Sequence, residues 1–402
     1  MNHKHHLSYL LLFLTIGIAI NSISSDNLNL NLKNKPKFDV TIVGLIQESG
    51  GWGQLPIRFI RHYMNKLHMN VIPILQDFNY LDESIKQIVL NKDKTPADVA
   101  LAFIHPYSSV MPYLPESKIK ICYTMTESYY IPQEWIENLN KHFDAVVVPA
   151  PFLIDAYKNA GLKKPIFILP IGMELDNYFK TPIKTTQNKK FTFGISAGFG
   201  NNHNKNQKML LKSFISKFNN NPNVILKIRG GGGEKEEIEA IKRIIIRKGA
   251  QNVELEVKRL SPQENLDFMK SLDCYVLVSR GEGFSLTPRE ALALGIPCIL
   301  SNNTAHEVIC QTPYVKSVNQ LTIKNIAQAL EEVYNNYDLY LAKAHQGREW
   351  VKQYTYKSLE NKYLNLIKPK NISLGLENTI ADNYIITTSQ DLVQKYLNIS
   401  KS

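Results

Sequence analysis

The sequence predicts an α/β protein with two Rossmann-like halves. Two observations carry this prediction: apolar runs of strand length alternate with helical patterns, and one turn-rich segment divides the alternation into two series. The chain has 402 residues, more than a single hydrophobic core usually spans. Hydrophobic residues make up 44% and charged residues 21%, which is the composition of an ordinary globular protein with enough apolar content for two cores.

The first series begins at FDVTIVGLI, residues 38–46, an apolar run without interruption. Such runs are typical of parallel strands that are covered on both faces. Helical patterns separate the strands, and this alternation predicts right-handed βαβ units in a doubly wound sheet. The further predicted strands are 71–75, 99–104, 119–125, 145–150 and 166–171, with helices at 55–67, 80–91 and 151–161.

The second series follows residues 176–190, which lack periodicity and form the predicted interdomain linker. Its predicted strands are 191–198, 224–230, 253–257, 274–279 and 297–301, with helices at 205–218, 234–248, 262–271 and 288–294. The predicted domains are therefore an N-terminal Rossmann-like domain at 38–180, a C-terminal one at 190–350, and C-terminal helices and tail at 351–402, with a closing helix near 389–397. Ligands of such sheets bind outside the carboxyl ends of the strands, which predicts a cleft between the domains.

Residues 1–25 read as a signal peptide or signal anchor, and residues 26–37 as a linker. A short basic start precedes an apolar run at 7–20, which is too short for an ordinary spanning helix. This segment predicts membrane association or entry into the secretory route. Lysines on its far side, together with a glycosylation sequon at 302–304, slightly favour a cytosolic catalytic part.

The net charge of +11 is unevenly distributed. Residues 37–180 carry 14 basic and 15 acidic side chains, whereas residues 181–368 carry 27 and 17. The basic second half favours an anionic ligand, with a solvated lysine-rich surface as the alternative. No basic run is interleaved with aromatic residues, so nucleic acid is not an expected partner. The four cysteines are scattered without a CxxC pair and are expected to be reduced, and no His/Cys cluster predicts a metal site.

Two glutamates stand out in the loop and helix that follow the strand at 274–279. Glu290 lies three residues after Thr287, and with Pro288 between them this spacing predicts a capping box. Glu282 lies between two glycines, where a carboxylate gains nothing obvious structurally. The glycines permit close approach of a ligand, and the start of the helix suits a phosphate group. A cap and a ligand-binding role therefore both remain open for Glu290.

This stretch resembles the E-x7-E motif of retaining GT-B glycosyltransferases of the group-one, or family-four, class. LSPQENLDFMKSLDCYVLVSRGEGFSLTPREALALGIPCILSNNTAHEVI, residues 260–309, looks like the donor-side block of that family. PIFILPIGMELDNYF at 165–179 looks like its interdomain segment, and NHNKNQKMLLKSFISKF at 202–218 like its phosphate helix. The resemblance covers roughly residues 38–366. It implies a GT-B fold, in which two facing Rossmann-like domains hold the ligand in the cleft between them. The N-terminal domain at 38–180 is then expected to bind the acceptor, and the C-terminal domain at 190–350 the nucleotide-sugar donor.

The resemblance also implies an activity and a set of partners. It implies transfer of a hexose or related sugar from a nucleotide-sugar to an acceptor hydroxyl with retention of configuration. The nucleotide-sugar is then a co-substrate, and neither a metal nor another cofactor is expected. The acceptor stays open between a glycan, a lipid and a protein, and membrane association through the N-terminal segment is a further expectation.

In the family, residues at matching positions have defined roles. Glu290 is expected to hold the donor ribose and Glu282 to contact the transferred sugar. Lys205, which opens the phosphate helix, is expected to neutralise the leaving diphosphate. The donor-binding loop adds Gly283, Phe284, Ser285 and Leu286.

The family usually adds an arginine before that lysine, and residues 198–203 contain none. The missing cation leaves a non-catalytic nucleotide- or carbohydrate-binding protein as the alternative. In the first domain, Gly51 and Gly53 are expected beside the donor phosphate, with an ordinary tight turn as the alternative. His105 matches a family histidine near the donor sugar, and Glu127 ends another strand and is a weaker candidate for the cleft.

Overall fold

The protein is described here by a computed structural model, which describes residues 38–47, 51–76, 81–200 and 204–368. The predicted signal segment, the linker at 26–37 and the tail with its closing helix lie outside these described residues. Of the described residues, the four cysteines are free thiols, and three of them are buried.

The first sheet has six parallel strands in the order β2-β1-β3-β4-β5-β6. Its strands are β1 Val40–Ile46, β2 Met69–Gln76, β3 Val99–Phe103, β4 Ile119–Tyr123, β5 Ala145–Val148 and β6 Ile166–Ile168. The helices of this half are α1 Gly51–Tyr63, α2 Glu83–Val89, α3 Gln133–His142, α4 Phe152–Asn159 and α5 Asp176–Lys180, with a 3-10 turn at Ser108–Tyr113. The central strands are almost wholly buried, as their unbroken apolar runs require.

The second sheet repeats the design, with six parallel strands in the order β12-β11-β10-β7-β8-β9. Its strands are β7 Phe191–Ser196, β8 Val224–Gly230, β9 Val253–Val257, β10 Cys274–Leu277, β11 Cys298–Ser301 and β12 Lys316–Val318. Its helices are α6 Gln207–Phe218, α7 Lys235–Lys248, α8 Pro262–Lys270, α9 Leu286–Ala293, α10 Glu307–Cys310 and α11 Ile323–Asn335, with a 3-10 turn at Thr304–His306. The pattern did not predict β12, whose three residues are too short for a periodicity.

Two further helices, α12 Tyr337–Val351 and α13 Tyr356–Ile367, are joined by a 3-10 turn at Lys352–Tyr354. Helix α13 returns to the first sheet and is fixed there by tyrosine hydroxyls. Tyr63 donates a hydrogen bond to the carbonyl of Tyr356 at 3.4 Å, and Tyr363 donates to the carbonyl of Pro170 at 2.9 Å. The C-terminal helix therefore ties the end of the described chain to the first half.

The predicted fold class is confirmed, since two parallel six-stranded sheets with covering helices form a GT-B architecture. Each sheet has a switch point where neighbouring strands are not consecutive in sequence, between β1 and β3 in one sheet and between β10 and β7 in the other. Loops diverge at such a point and leave a crevice at the carboxyl ends of the strands. The four loops that follow these strands therefore frame the place where a ligand is expected.

The expected membrane-associated or secretory location is wrong. Within the described parts of residues 38–368, no helix combines the length and apolar content needed to cross a bilayer. The apolar run that led to the prediction, at 7–20, lies outside the described residues.

Candidate active site

A cavity of about 880 Å³ lies where the switch-point loops of the two sheets meet, and we call it the loop cavity. The first half contributes the start of helix α1 and the loops after β3 and β4, and the second half contributes the loops after β7 and β10. Of the predicted site residues, those lining it are His105, Lys205, Glu282, Gly283, Phe284, Ser285 and Leu286. The shared direction of the strands thus brings together residues that are up to 181 positions apart in sequence.

Lys205 forms the electrostatic centre of the loop cavity. Its ammonium lies 2.8 Å from the carboxylate of Glu282 and 2.9 Å from that of Glu127, which comes from the first half. Burial alone would lower the pKa of Lys205, but the two carboxylates raise it overall, so the lysine is a cation. Burial raises the pKa of Glu282, with Lys205 opposing that rise. Because Glu282 has this partner, the expectation that its carboxylate gains nothing structurally is wrong.

Glu127 belongs to the site, although the sequence marked it only as a weaker candidate. Besides Lys205, its carboxylate accepts a hydrogen bond of 2.6 Å from the side-chain amide of Asn204. That amide also donates to the carbonyl of Gly281 at 2.7 Å. The only signal in the sequence was the position of Glu127 just after a buried strand, since its partners come from a loop of the other half.

The glycines on either side of Glu282 allow two loops of the protein to pack closely together. A Cβ atom on Gly281 would lie 1.9 Å from the carbonyl oxygen of Glu127, and one on Gly283 would lie 2.9 Å from the sulfur of Met125. Both values are below ordinary van der Waals contact. These glycines therefore also let the loop after β10 pack against the loop after β4.

The predicted capping box at Thr287 is also corrected. Helix α9 begins two residues earlier than predicted, at Leu286, and its cap residue is Ser285 with a positive φ of 67°. The hydroxyl of Thr287 pairs instead with the hydroxyl of Tyr275 at 2.7 Å. Glu290 lies beyond the first turn of the helix, so the cap that was its structural alternative does not form.

Two buried residues hold the turn that leads into α9. Arg289 donates hydrogen bonds to the carbonyls of Phe284 and Ser285, and its guanidinium lies 4.0 Å from the centre of the Phe284 ring. The hydroxyl of Ser285 lies 2.8 Å from Nε2 of His306. The free N–H groups of the first helical turn are thereby fixed at the wall of the loop cavity.

Glu290 lines a second cavity of about 920 Å³, which we call the arginine cavity because Arg58, Arg229 and Arg259 line it as well. Oxygen Oε2 of Glu290 is buried and has no hydrogen-bond partner among the described residues. Burial raises the pKa of this carboxyl group, while Arg58 and the amide of Asn265 oppose the rise. The two glutamates of the motif therefore line different cavities.

The first half supplies an aromatic wall to the loop cavity. Trp52 lines it, and its ring centre lies 4.2 Å from that of His105 in an edge-on contact. Nδ1 of His105 is buried without a hydrogen-bond partner in the described part of the chain, and burial lowers its pKa to about 4. Gly51 begins helix α1, and a Cβ on Gly53 would lie 2.5 Å from the carbonyl oxygen of Gln47. The close approach of Gln47 therefore explains why residue 53 is a glycine, as the tight-turn alternative predicted.

Adding a side chain to Gly281 should destabilise the protein. In the Gly281→Ala variant the two loops must separate, which we expect to lower the free energy of unfolding by about 1–3 kcal/mol. Urea denaturation measures the change. Gly198→Ala is the matched control, because its Cβ would meet nothing closer than 3.9 Å and the expected change stays within about 0.5 kcal/mol. Equal stability of the two variants would contradict the close packing of the loops.

The buried histidine predicts a pH dependence of stability. The pKa of His105 falls from 6.5 to about 4 on folding, so between these values the unfolded chain binds the proton and the folded chain does not. The contribution of His105 to the free energy of unfolding is fully present above pH 6.5 and is lost as the pH drops towards 4. The loss from this residue is about 3 kcal/mol at most. Urea denaturation of wild type and His105→Gln between pH 7 and pH 4.5 isolates the effect: the variant should lose less stability, whereas parallel curves would contradict the burial of a neutral His105.

A known family matches the second half of the chain. The sequence model of the family described as "Glycosyl transferases group 1" matches residues 181–350, which include the second sheet, Lys205 and both glutamates. "Uncharacterized protein 356" of Sulfolobus islandicus rod-shaped virus 1 is 22% identical over 266 residues, which are 59% of this chain and 73% of that protein.

Solved structures share the fold of both halves at low identity. HepE of Anabaena in complex with UDP-glucose superimposes with a TM-score of 0.67 and 13% identity over 82% of this chain and 99% of its own. WaaG, a glycosyltransferase involved in lipopolysaccharide biosynthesis, gives 0.60 and 14% over 82% and 99%. TarM of S. aureus gives 0.54 and 16% over 67% of this chain and 55% of that chain. These structures show the GT-B fold, and within it residues 181–350 are similar to the group 1 glycosyltransferases.

Proposed function

We propose that the protein transfers a hexose or related sugar from a nucleotide-sugar to an acceptor hydroxyl, with retention of configuration. One observation carries the proposal: Lys205 and Glu282 face a single cavity beside the start of helix α9. A cation, a carboxylate and free helix N–H groups are the three groups that a sugar diphosphate needs. The family match to residues 181–350 supports the same activity.

The leaving diphosphate explains why a cation and a helix start lie together. When the bond to the anomeric carbon breaks, negative charge develops on the departing phosphate oxygen. Lys205 stabilises this charge, and the first turn of α9 adds its N–H groups and the positive end of the helix dipole. These groups are already oriented before the reaction, because Arg289 and Ser285 fix the turn.

The proposed reaction makes and breaks one bond to the anomeric carbon. The acceptor oxygen forms the new bond on the face from which the phosphate leaves. The proton of the acceptor hydroxyl passes to the departing phosphate oxygen, so the products are the glycosylated acceptor and the nucleoside diphosphate. Glu282 holds the hydroxyls of the transferred sugar, and His105, which is neutral above about pH 4, serves as a hydrogen-bonding group rather than as a cation.

The arginine cavity is the proposed place of the nucleoside. Oε2 of Glu290 has no partner among the described residues, and a ribose hydroxyl would supply the missing donor. Arg229 also lines this cavity, and its Nε and Nη1 are buried without a hydrogen-bond partner among the described residues, so it can donate to an acceptor atom of the nucleoside. Since HepE was solved with UDP-glucose, UDP-sugars are the first donors to test.

We propose that the reaction needs neither a metal nor another cofactor. Lys205 and the start of α9 supply the charge stabilisation that a divalent cation provides elsewhere. The described residues contain no group of three or more His, Cys, Asp or Glu side chains placed to hold a metal ion. Turnover that persists in excess chelator supports this part of the proposal, and loss that Mg²⁺ or Mn²⁺ restores overturns it.

A protein that binds nucleotide or carbohydrate without transfer is the second candidate. It is favoured by the charge of Lys205, which two carboxylates already neutralise, and by the absence of an arginine at 198–203. A panel of nucleotide-sugars separates the two candidates by measuring nucleotide release and nucleotide binding. Release from at least one donor supports the transferase; binding without release from any donor leaves the second candidate.

Removing either donor contact should weaken donor binding by more than it lowers stability. We expect Lys205→Met and Glu290→Gln each to raise the Kd for the nucleoside diphosphate about tenfold or more, because each removes a charged hydrogen-bonding group. Lys212→Met, an exposed lysine on helix α6, is the matched control and should bind as wild type does. Calorimetric titration measures the Kd and thermal denaturation the stability. Equal losses of stability and affinity would instead assign these residues a structural role.

Neutralising Glu127 should have the opposite effect on affinity. Its carboxylate forms an ion pair with the ammonium of Lys205, which the proposed diphosphate also needs. The Glu127→Gln variant therefore removes a competing anion. The carboxylate is 46% exposed, which limits the gain, and we expect a decrease of about twofold to fivefold in the Kd for the nucleoside diphosphate. Glu137→Gln, on the exposed face of helix α3, is the control. Unchanged or weaker binding by Glu127→Gln would show that Glu127 does not compete.

A further inference from the structure

The exposed aromatic side chains of the described residues are concentrated in one place. They are Tyr107, Tyr113, Tyr129 and Tyr130, with exposed fractions of 45%, 37%, 52% and 75%. All four belong to the loops that follow β3 and β4, at the carboxyl edge of the first sheet. Exposed aromatic rings that gather at one edge of a cavity mark a binding surface more often than a solvated one.

Tyr107 connects this group to the loop cavity, which it lines. Its ring meets the ring of Trp135 edge-on at 5.3 Å, and Trp135 also packs against His105 at 4.9 Å. Trp135 is buried, so one edge of Tyr107 is anchored while nearly half of the side chain stays exposed. The ring is therefore held ready for a contact, at little further cost in side-chain entropy.

Tyr130 and Tyr129 differ in how they are used. The hydroxyl of Tyr129 donates a hydrogen bond of 2.6 Å to Glu307 and its ring packs on Phe152, so this side chain has structural partners. Tyr130 is the more exposed of the two, and its backbone N–H donates to the hydroxyl of Ser128 at 3.0 Å. Ser128 lines the loop cavity, and this hydrogen bond holds the backbone of Tyr130 beside it.

The chemistry of the two loops selects a neutral ligand. Residues 105–115 and 124–131 contain tyrosine, serine, threonine and proline, and Glu127 is their one Asp, Glu, Lys or Arg residue. A single carboxylate disfavours a phosphate, a sulfate or an anionic lipid surface. The carboxylate of Glu127 can accept hydrogen bonds from the hydroxyl groups of a ligand. The hydroxyls of Ser128 and Thr126, which line the same cavity, can accept them as well. Aromatic faces beside hydroxyl-binding groups suit a ring with apolar C–H faces and polar edges.

We infer that this surface, formed by Tyr107, Glu127, Ser128 and Tyr130, is the acceptor subsite and that the acceptor is a neutral saccharide. Its sugar rings pack on the two tyrosines, and its hydroxyls bind Glu127 and Ser128. The inference rests on the proposed transferase function, because it places the acceptor hydroxyl beside the donor cavity. The saccharide is the recognised group whether it is free or carried by a lipid or a protein.

The test measures saccharide binding separately from donor binding. Wild-type protein is saturated with UDP, or with whichever nucleoside diphosphate the donor panel selects, and titrated with neutral methyl glycosides and short oligosaccharides. Saturation-transfer NMR identifies bound rings and calorimetry gives their Kd. Sulfated oligosaccharides, phosphatidylglycerol vesicles and vesicles that carry a neutral glycolipid form the comparison arms. The variants are Tyr107→Ala, Tyr107→Phe, Tyr130→Ala and Tyr130→Phe, with Leu339→Ala as an exposed apolar control on helix α12.

We expect at least one neutral saccharide to bind and each alanine variant to raise its Kd about tenfold, while the phenylalanine variants stay within about threefold because they keep the ring. Leu339→Ala should bind as wild type does. Glycolipid vesicles that bind while the soluble glycans do not would still support a saccharide and would assign it a lipid carrier. Binding to sulfated glycans or to anionic vesicles in place of neutral sugars overturns the inference, as do alanine variants that bind like wild type.

Binding of the nucleoside diphosphate is recorded for every variant and separates the two proposals. A wild-type protein that binds the nucleoside diphosphate but none of the saccharides overturns the acceptor inference alone. A wild-type protein that binds no nucleotide overturns the proposed function and, with it, the acceptor inference that rests on that function.

Discussion

The common direction of the strands is the constraint on which the site depends. The twelve strands of the described residues are parallel within their sheets, so the loops that follow them leave each sheet from the same edge. At the two switch points the neighbouring loops diverge, and the crevices they leave face each other. Lys205 and Glu282 follow β7 and β10, and His105 follows β3. No local feature of their sequences brings these residues together; the order of the strands does.

Close contact between the halves adds a second constraint. The loop after β10 meets the loop after β4 without side chains at Gly281 and Gly283, and a carboxylate from each side then reaches the same lysine. Ion pairs of this kind contribute little to stability where they are exposed. Here Glu282 is 7% exposed, so removal of Lys205 would leave a buried charge without a partner. Packing brings the loops together, and the ion pairs determine which polar groups face the cavity.

Much of this arrangement could be predicted from the sequence, and the failures have a common physical cause. Unbroken apolar runs predicted the strands, and a carboxylate between glycines after such a run marked Glu282. The capping box failed because the start of α9 is decided by Ser285 at positive φ, held by His306 and Arg289 through contacts between distant elements. Glu127 was underrated for the same reason, since its partner Lys205 belongs to the other sheet. Local rules succeeded where the local chain decides the structure.

The ion pairs of the loop cavity also determine what the proposed diphosphate would displace. Two carboxylates share one ammonium, so the group carries a net negative charge before any ligand arrives. The proposed diphosphate would add further negative charge and would need the same ammonium, so one carboxylate would have to give up its contact with Lys205. Glu127 is 46% exposed and Glu282 is 7% exposed; only Glu127 can exchange the lysine for water at low cost. The exchange frees the carboxylate of Glu127 at the rim formed by Ser128 and Tyr107, where the hydroxyls of a second substrate would find an acceptor.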